Sequence, residues 1–240
     1  MNQKTTNQLL RINQTFYEAL AQPFADSRST RQPGLQRVVA CINGARSLLD
    51  VGCGNGRLAH ALDEAGLSMR YTGIDASETL LAIAIQSAAA LTTVQTTFLL
   101  LDISKDNWET SVPQPTYDAI ALLAVLHHIP GWDHRVALLR TLRDLLSADG
   151  FLVVSTWQFL NEERLRRKIM PWAQVGLDDS DLEPGDYLLD WHRGGSGLRY
   201  CHLVDEAELR ALAGAAGLAV ADLFYADGAG QNLNLFALLR

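Results

Sequence analysis

From Ser47 onward, short apolar runs alternate with segments whose apolar residues recur every three or four positions. Ser47-Leu48-Leu49-Asp50-Val51 reads as a buried strand. It runs into Gly52-Cys53-Gly54-Asn55-Gly56 and then a helix that stops at Gly66, a residue type suited to the turn after a helix end. Residues 71–75, 97–102, 117–123 and 151–156 are four more strands. Between them lie an apolar helix over 78–91 and a helix started by Asp133, with Val136, Leu139, Leu142 and Leu146 along one stripe. Strands that alternate with helices predict parallel βαβ units in a doubly wound α/β sheet. The ending differs. Asp205 and Glu208 start a helix that stops at Gly217, and two strand-like runs, 218–226 and 232–239, follow with only five residues between them. That connection is too short for a crossover helix, so the pair is expected to be an antiparallel hairpin.

Two regions lie outside this alternation. Residues 1–46 are expected to form a helical cap, with a helix over 8–22 carrying Leu9, Ile12, Phe16 and Leu20 at helical spacing. Residues 157–200 interrupt the sheet between the fifth strand and the last helix. A short helix capped by Asn161 is expected there, with Leu165, Ile169 and Trp172 on one face and the rest as loop. Long irregular insertions at such a place tend to be lids or substrate loops. The division is then a cap (1–46), a sheet core (47–156), an insertion (157–200), and a last helix with hairpin (201–240), all in one domain.

Composition changes this picture in three ways. Net charge is −7, which argues against a surface coated for nucleic acid, yet residues 1–46 carry six basic residues against two acidic ones. The three cysteines, Cys41, Cys53 and Cys201, are isolated, which excludes a C-x-x-C site and fits a reducing cytoplasm. No apolar run of about 18 residues occurs, so no membrane partner is expected. The amino terminus lacks the apolar stretch of a signal peptide.

The chemistry concentrates at the strand ends. Gly52, Gly54 and Gly56 sit at a strand-to-helix turn, where missing side chains let a ligand approach backbone amides. Their spacing is not the G-x-G-x-x-G of dinucleotide binding, which disfavours a nicotinamide oxidoreductase. Asp75 ends the second strand, where a carboxylate can accept two hydrogen bonds from a ribose diol or can cap the next helix. Asp102 ends the third, within reach of an adenine amino group. His127 and His128 follow the fourth strand and are either packed rings or general bases. No metal site is expected, since His134 completes no helical ligand pair with them. Trp157, Trp172 and Trp191 can stack a base or pack a lid.

These residues resemble class I S-adenosylmethionine (SAM) dependent methyltransferases. Residues 48–56 look like the first motif of that family, Gly73-Ile74-Asp75 like its ribose motif, and Asp102-Ile103 like its adenine position. The resemblance implies a seven-stranded Rossmann-like sheet and SAM as cofactor. By it, Asp50, Gly52, Gly54, Gly56, Asp75, Ala76, Asp102, Ile103 and Leu123 contact the cofactor. A narrower resemblance is to the tRNA wobble-uridine carboxymethyl methyltransferases. It is carried by Phe24-Ala25-Asp26-Ser27-Arg28, by Val125-Leu126-His127-His128, and by Trp157 with Arg199-Tyr200-Cys201-His202-Leu203. It implies methyl-ester formation on a tRNA carboxylate, a small activator subunit as partner, and Arg28, His128, Arg199, Tyr200 and His202 around the acceptor. The alternatives are a small-molecule O- or N-methyltransferase with the insertion as lid, and a SAM-binding regulatory partner without activity.

Overall fold

The computed structural model describes residues 1–27 and 29–240. A seven-stranded sheet forms its centre. β1 (Ser47–Val51), β2 (Met69–Asp75), β3 (Val94–Leu100), β4 (Tyr117–Leu123) and β5 (Leu146–Trp157) run parallel. β9 (Val220–Ala226) and β10 (Asn234–Leu239) close the sheet as an antiparallel hairpin, with β10 on β5, giving the order β3-β2-β1-β4-β5-β10-β9. The expected seven-stranded sheet is therefore present.

Alternation within the strands builds two cores. Leu48 and Tyr71 face α3 (Pro33–Ile42), α4 (Arg57–Glu64) and α5 (Glu78–Ala88). Leu49, Val51, Ile120 and Leu122 face α6 (Trp132–Asp144) and α8 (Glu206–Ala215). A strand buried on both faces must be apolar throughout, as Ser47–Val51 nearly is. The chain moves outward from β1 to β3, then returns to the other side of β1 with β4. Such a reversal opens a crevice at the strand ends, where ligands of doubly wound folds bind.

Several boundaries differ from the sequence pattern. β3 ends at Leu100, so Asp102 lies beyond the strand. α6 starts from Gly131, whose φ of +92° reverses the chain, and Asp133 falls in the first turn instead of capping it. α1 runs from Gln3 to Ala19, capped by Asn2, whose side chain accepts the Thr5 N–H at 2.9 Å. The short α2 (Ala21–Asp26) follows it.

The largest departure is in the insertion. Instead of loop it holds a second, three-stranded antiparallel sheet: β6 (Ile169–Met170), β7 (Asp186–Trp191) and β8 (Gly197–His202). Because β8 continues to His202, a division after residue 200 cuts through a strand. Asn161 is not a helix cap. Its side chain bonds the Asn232 carbonyl at 2.8 Å, and Glu162 stands at the start of α7 (Glu163–Arg166). Ile169 lies in β6, so Leu165, Ile169 and Trp172 do not share a helix face. Among the described residues, no helix is long and apolar enough to cross a membrane.

Candidate active site

A cavity of about 450 Å³ opens at the ends of β1, β2 and β4. Its floor is Gly52, Cys53, Gly54 and Asn55. Asp75, Ala76 and Ser77 form one side, Leu101, Asp102 and Ile103 the next, and Leu123, Ala124 and Val125 the third. The roof is α1, through Leu10, Asn13, Gln14 and Tyr17, with Phe24 of α2 beside it.

The glycines divide the work. Gly52 has φ +72°, and a Cβ there would lie 2.4 Å from Val125 Cγ2, so this position admits no side chain. Gly54 has φ +57° and nothing within 4 Å of where a Cβ would stand. It faces open space that a ligand can fill. Gly56, with φ +74°, starts α4 and does not line the cavity. Its role is to turn the chain. Ala124, at the end of β4, has φ +59°, held by its N–H bonding to Ser155 Oγ at 2.9 Å. A left-handed non-glycine residue stores strain, which tends to collect at functional sites.

Asp75 supports the loop directly. Its Oδ2 accepts the Gly54 N–H at 2.8 Å and its Oδ1 the Ser77 N–H at 2.9 Å. Ser77, not Asp75, caps α5. Burial raises the Asp75 pKa, and the N–H donors of Ser77, Gly54 and Ala76 oppose that rise. Asp102 accepts the Ser104 N–H at 2.9 Å and its hydroxyl at 2.6 Å, which fixes the turn on the cavity's edge. Asp50 corrects an expectation. It is buried under the loop, bonded by the Tyr71 hydroxyl at 2.6 Å, and does not line the cavity. Burial pushes its pKa up to about 7 despite that hydrogen bond and the Arg57 charge.

On the roof side, His128 sits between two elements. Its Nδ1 lies 2.9 Å from the Tyr200 carbonyl oxygen and its Nε2 2.9 Å from the Tyr17 hydroxyl. A carbonyl only accepts, so Nδ1 carries the proton, and in the neutral form of the ring Nε2 is then the acceptor for the Tyr17 hydroxyl. Asn13 brackets the same residue of β8, its Oδ1 accepting the Tyr200 N–H at 2.9 Å and its Nδ2 donating to the Tyr200 carbonyl at 3.2 Å. This covers the open edge of β8 with α1, as exposed strand edges require. His127 is buried and accepts the Trp157 N–H at 3.3 Å.

The four acceptor residues expected here besides Arg28 do not converge. Arg28 lies outside the described residues. His128 lines the cavity; Arg199, Tyr200 and His202 do not. Successive residues of a strand point to opposite faces, so Arg199 and Tyr200 cannot meet at one point. Tyr200 and His202 lie on the far face, in a buried network. The Tyr200 hydroxyl donates to Asp186 at 2.8 Å. His202 bridges Asp186 at 2.7 Å and Glu208 at 2.9 Å, and Arg135 pairs with Glu183 at 2.9 Å and Glu208 at 3.1 Å. Burial lowers the His202 pKa, but its bonds to Asp186 and Glu208 outweigh this and leave it raised. The network ties the small sheet to α6 and α8 and leaves Tyr200 and His202 as fold residues.

Asn13 and Tyr17 escaped the sequence reading. Asn13 is buried and Tyr17 half-buried on an amphipathic helix, and their roles show only once the segments they meet are known.

The donors present fit SAM. The Asp75 carboxylate at the β2 end lines the cavity where it could accept from a ribose diol, Gly54 leaves open space, and Ile103 and Leu123 offer apolar walls. Fold and site together define a class I SAM-dependent methyltransferase. A profile described as "Methyltransferase domain" matches residues 24–223, and the chain belongs to that family. A curated relative, the ubiquinone biosynthesis O-methyltransferase of Alkalilimnicola ehrlichii, is 32% identical over 98 residues, 40% of this chain and 37% of that protein. A second of the same name, from Haemophilus ducreyi, is 30% identical over 46% of this chain and 45% of its own. The chain thus spans less than half the length of these relatives. Among solved structures, the CcbJ methyltransferase of Streptomyces caelestis superposes with a TM-score of 0.64 at 19% identity, covering 94% of this chain and 97% of that one. The fold is likewise that of magnesium protoporphyrin IX methyltransferase from Synechocystis with bound SAH, with a TM-score of 0.61, 22% identity and 99% coverage of both chains. Membership of this family is consistent with SAM as the ligand of the cavity.

Proposed function

We propose that the protein methylates an oxygen or nitrogen of a small molecule held between the cofactor and α1, with Tyr17 and His128 removing the acceptor's proton. The Tyr17–His128 pair on the wall of a roofed cavity carries this reading. SAM, when bound, supplies a methyl group on a sulfonium sulfur for in-line displacement. The acceptor's proton passes to Tyr17 Oη as the Tyr17 proton moves to His128 Nε2. The freed lone pair bonds the methyl carbon, and the electrons of the broken S–C bond stay on sulfur, leaving S-adenosylhomocysteine. The bond to the Tyr200 carbonyl holds the imidazole in the tautomer this relay needs.

A roof of helix favours a compact acceptor over an RNA chain, and net charge −7 gives no broad attraction to phosphates. The relatives named O-methyltransferases support an oxygen acceptor. The test is incubation with methyl-labelled SAM and either a small-metabolite extract or total RNA. Label is expected in the metabolite fraction. Label confined to tRNA would restore the wobble-uridine reading, and with it a carboxylate acceptor that needs no base. His128→Gln is expected to slow turnover by about 10²–10⁴-fold with SAH affinity unchanged. Full activity in that variant removes the proton relay.

A further inference from the structure

Three carboxylates, those of Glu18, Asp75 and Asp102, line the cavity, and among the described residues one guanidinium joins them, that of Arg57. Arg57 is the first residue of α4. SAM carries positive charge on its sulfonium and its ammonium, and negative charge on the carboxylate of its methionine tail. The signs of the lining therefore match those of the cofactor, and Arg57 is the member that can answer the carboxylate.

The protein leaves Arg57 able to do so. A guanidinium carries five N–H donors. Among the described residues the guanidinium of Arg57 makes one hydrogen bond, from Nη1 to Gln32 Oε1 at 2.5 Å, and no carboxylate pairs with it. Burial lowers its pKa, and the charges of Asp50 and Asp227 oppose this from a distance. Both of those acids are engaged elsewhere. Asp50 takes the Tyr71 hydroxyl, and Asp227 takes the Gly34 N–H at 2.9 Å and the Asn234 amide at 2.8 Å. Arg135, by contrast, is closed off by Glu183 and Glu208.

The position fits as well. In the order β3-β2-β1-β4-β5-β10-β9, Asp75 ends β2 and Asp102 follows β3, both on one side of β1. With ribose at Asp75 and adenine at Asp102, the methionine tail extends to the other side. Arg57 reaches that way. Its partner Gln32 precedes α3, and α3 is tied through Gly34 to Asp227, which follows β9 at the far end of the order. α4 also begins without a side-chain cap and with no acid in its first turn, so its first N–H groups and its dipole favour a negative group beside Arg57.

We propose that Arg57 binds the carboxylate of the methionine tail of SAM, with Gln32 orienting its guanidinium for a paired hydrogen bond. Anchoring the tail fixes the sulfonium from the end opposite the adenine, and with it the direction in which the methyl group leaves. The proposal concerns the cofactor alone and holds for any acceptor.

The test is calorimetric titration of the full chain with three ligands. They are SAH; S-adenosyl-3-thiopropylamine, which keeps the ammonium and lacks the carboxylate; and 5′-methylthioadenosine, which lacks the whole tail. The native protein is expected to bind SAH about 10- to 100-fold more tightly than the thiopropylamine, the scale of hydrogen bonds to a charged group. Arg57→Met is expected to lose that preference: SAH weakens by the same factor, while methylthioadenosine binds as it does to the native protein. Arg57→Lys recovers part of the preference, since an ammonium offers a charge without the paired geometry. Equal affinity of the native protein for SAH and the thiopropylamine overturns the proposal, as does an undiminished preference in Arg57→Met. A variant that weakens methylthioadenosine as much as SAH also overturns it, for Arg57 then only shapes the glycine turn. Where Arg57→Met fails to fold, Arg57→Lys carries the same comparison. If neither SAH nor methylthioadenosine binds the native protein, the methyltransferase site itself falls and the proposal with it. Intact binding without a preference for the carboxylate counts only against Arg57.

Discussion

The cofactor half and the acceptor half of this molecule are built on opposite plans. Around the cofactor, side chains are few and backbone does the work: Gly52 excludes any Cβ, Gly54 leaves space, and Asp75 binds two N–H groups of the turn it supports. Around the acceptor, side chains do everything. Asn13 and Tyr17 of α1 meet His128 of the segment after β4, and only tertiary packing joins them. Backbone-built sites are written in contiguous sequence, whereas side-chain-built sites depend on how separate segments dock.

That contrast can be broken most directly at Gly54. Gly54→Val places a branched side chain in the cavity at a left-handed φ, where its Cβ meets no protein atom within 4 Å. SAH binding measured by calorimetry is expected to vanish while circular dichroism stays native. Normal binding by the folded variant would reduce the glycine loop to a simple turn. The next largest effect belongs to the other half. His202→Ala leaves Asp186 and Glu208 without their bridge and is expected to cost about 3–5 kcal/mol in denaturant unfolding. SAH affinity should barely change. The His202 pKa is raised on folding, so its contribution is complete below the unfolded value of 6.5 and fades as pH rises through the folded value. The alanine variant should lose that alkaline decline. Asp75→Ala follows, with SAH affinity weakened by about 1.5–3 kcal/mol, the scale of hydrogen bonds to a charged group. Unchanged affinity would remove Asp75 from the site. A further effect, on stability alone, is expected at Asp50. Its carboxyl is raised to about 7 from 3.8, so stability drains away as pH rises between those values. Asp50→Asn, which can still accept from Tyr71, should flatten this slope. A thermal midpoint with the same pH dependence as the native protein would contradict it.

What could be read in the sequence follows the same division. The strand at Ser47–Val51, the glycine turn, Asp75 and the terminal hairpin are legible because local apolar runs and turn residues decide them. The second sheet is not. β8 reads Gly-Leu-Arg-Tyr-Cys-His, with polar residues where burial would predict apolar ones. Those positions are buried because Tyr200 and His202 find carboxylates and Arg199 finds aromatic rings, partners 6 to 183 residues away in the chain. The glycines of 194–197, which suggest an open loop, in fact form the tight end of a hairpin between β7 and β8. The same alternation explains why Arg199 parts company with Tyr200 and His202, which share one face of β8 and one partner, Asp186.

The chain leaves the large sheet at Trp157 and returns to α8 at Asp205. At that neck the Thr156 hydroxyl and the Gln158 amide both bond the Val204 carbonyl, at 3.0 and 2.8 Å. Everything between is clasped at its base like a removable head on a handle. Such a joint lets an ancestor exchange the intervening forty-odd residues without disturbing register in β5 or the seat of α8. Chimaeras cut at Gln158 and Val204 should therefore inherit acceptor preference from the graft and cofactor affinity from the stock.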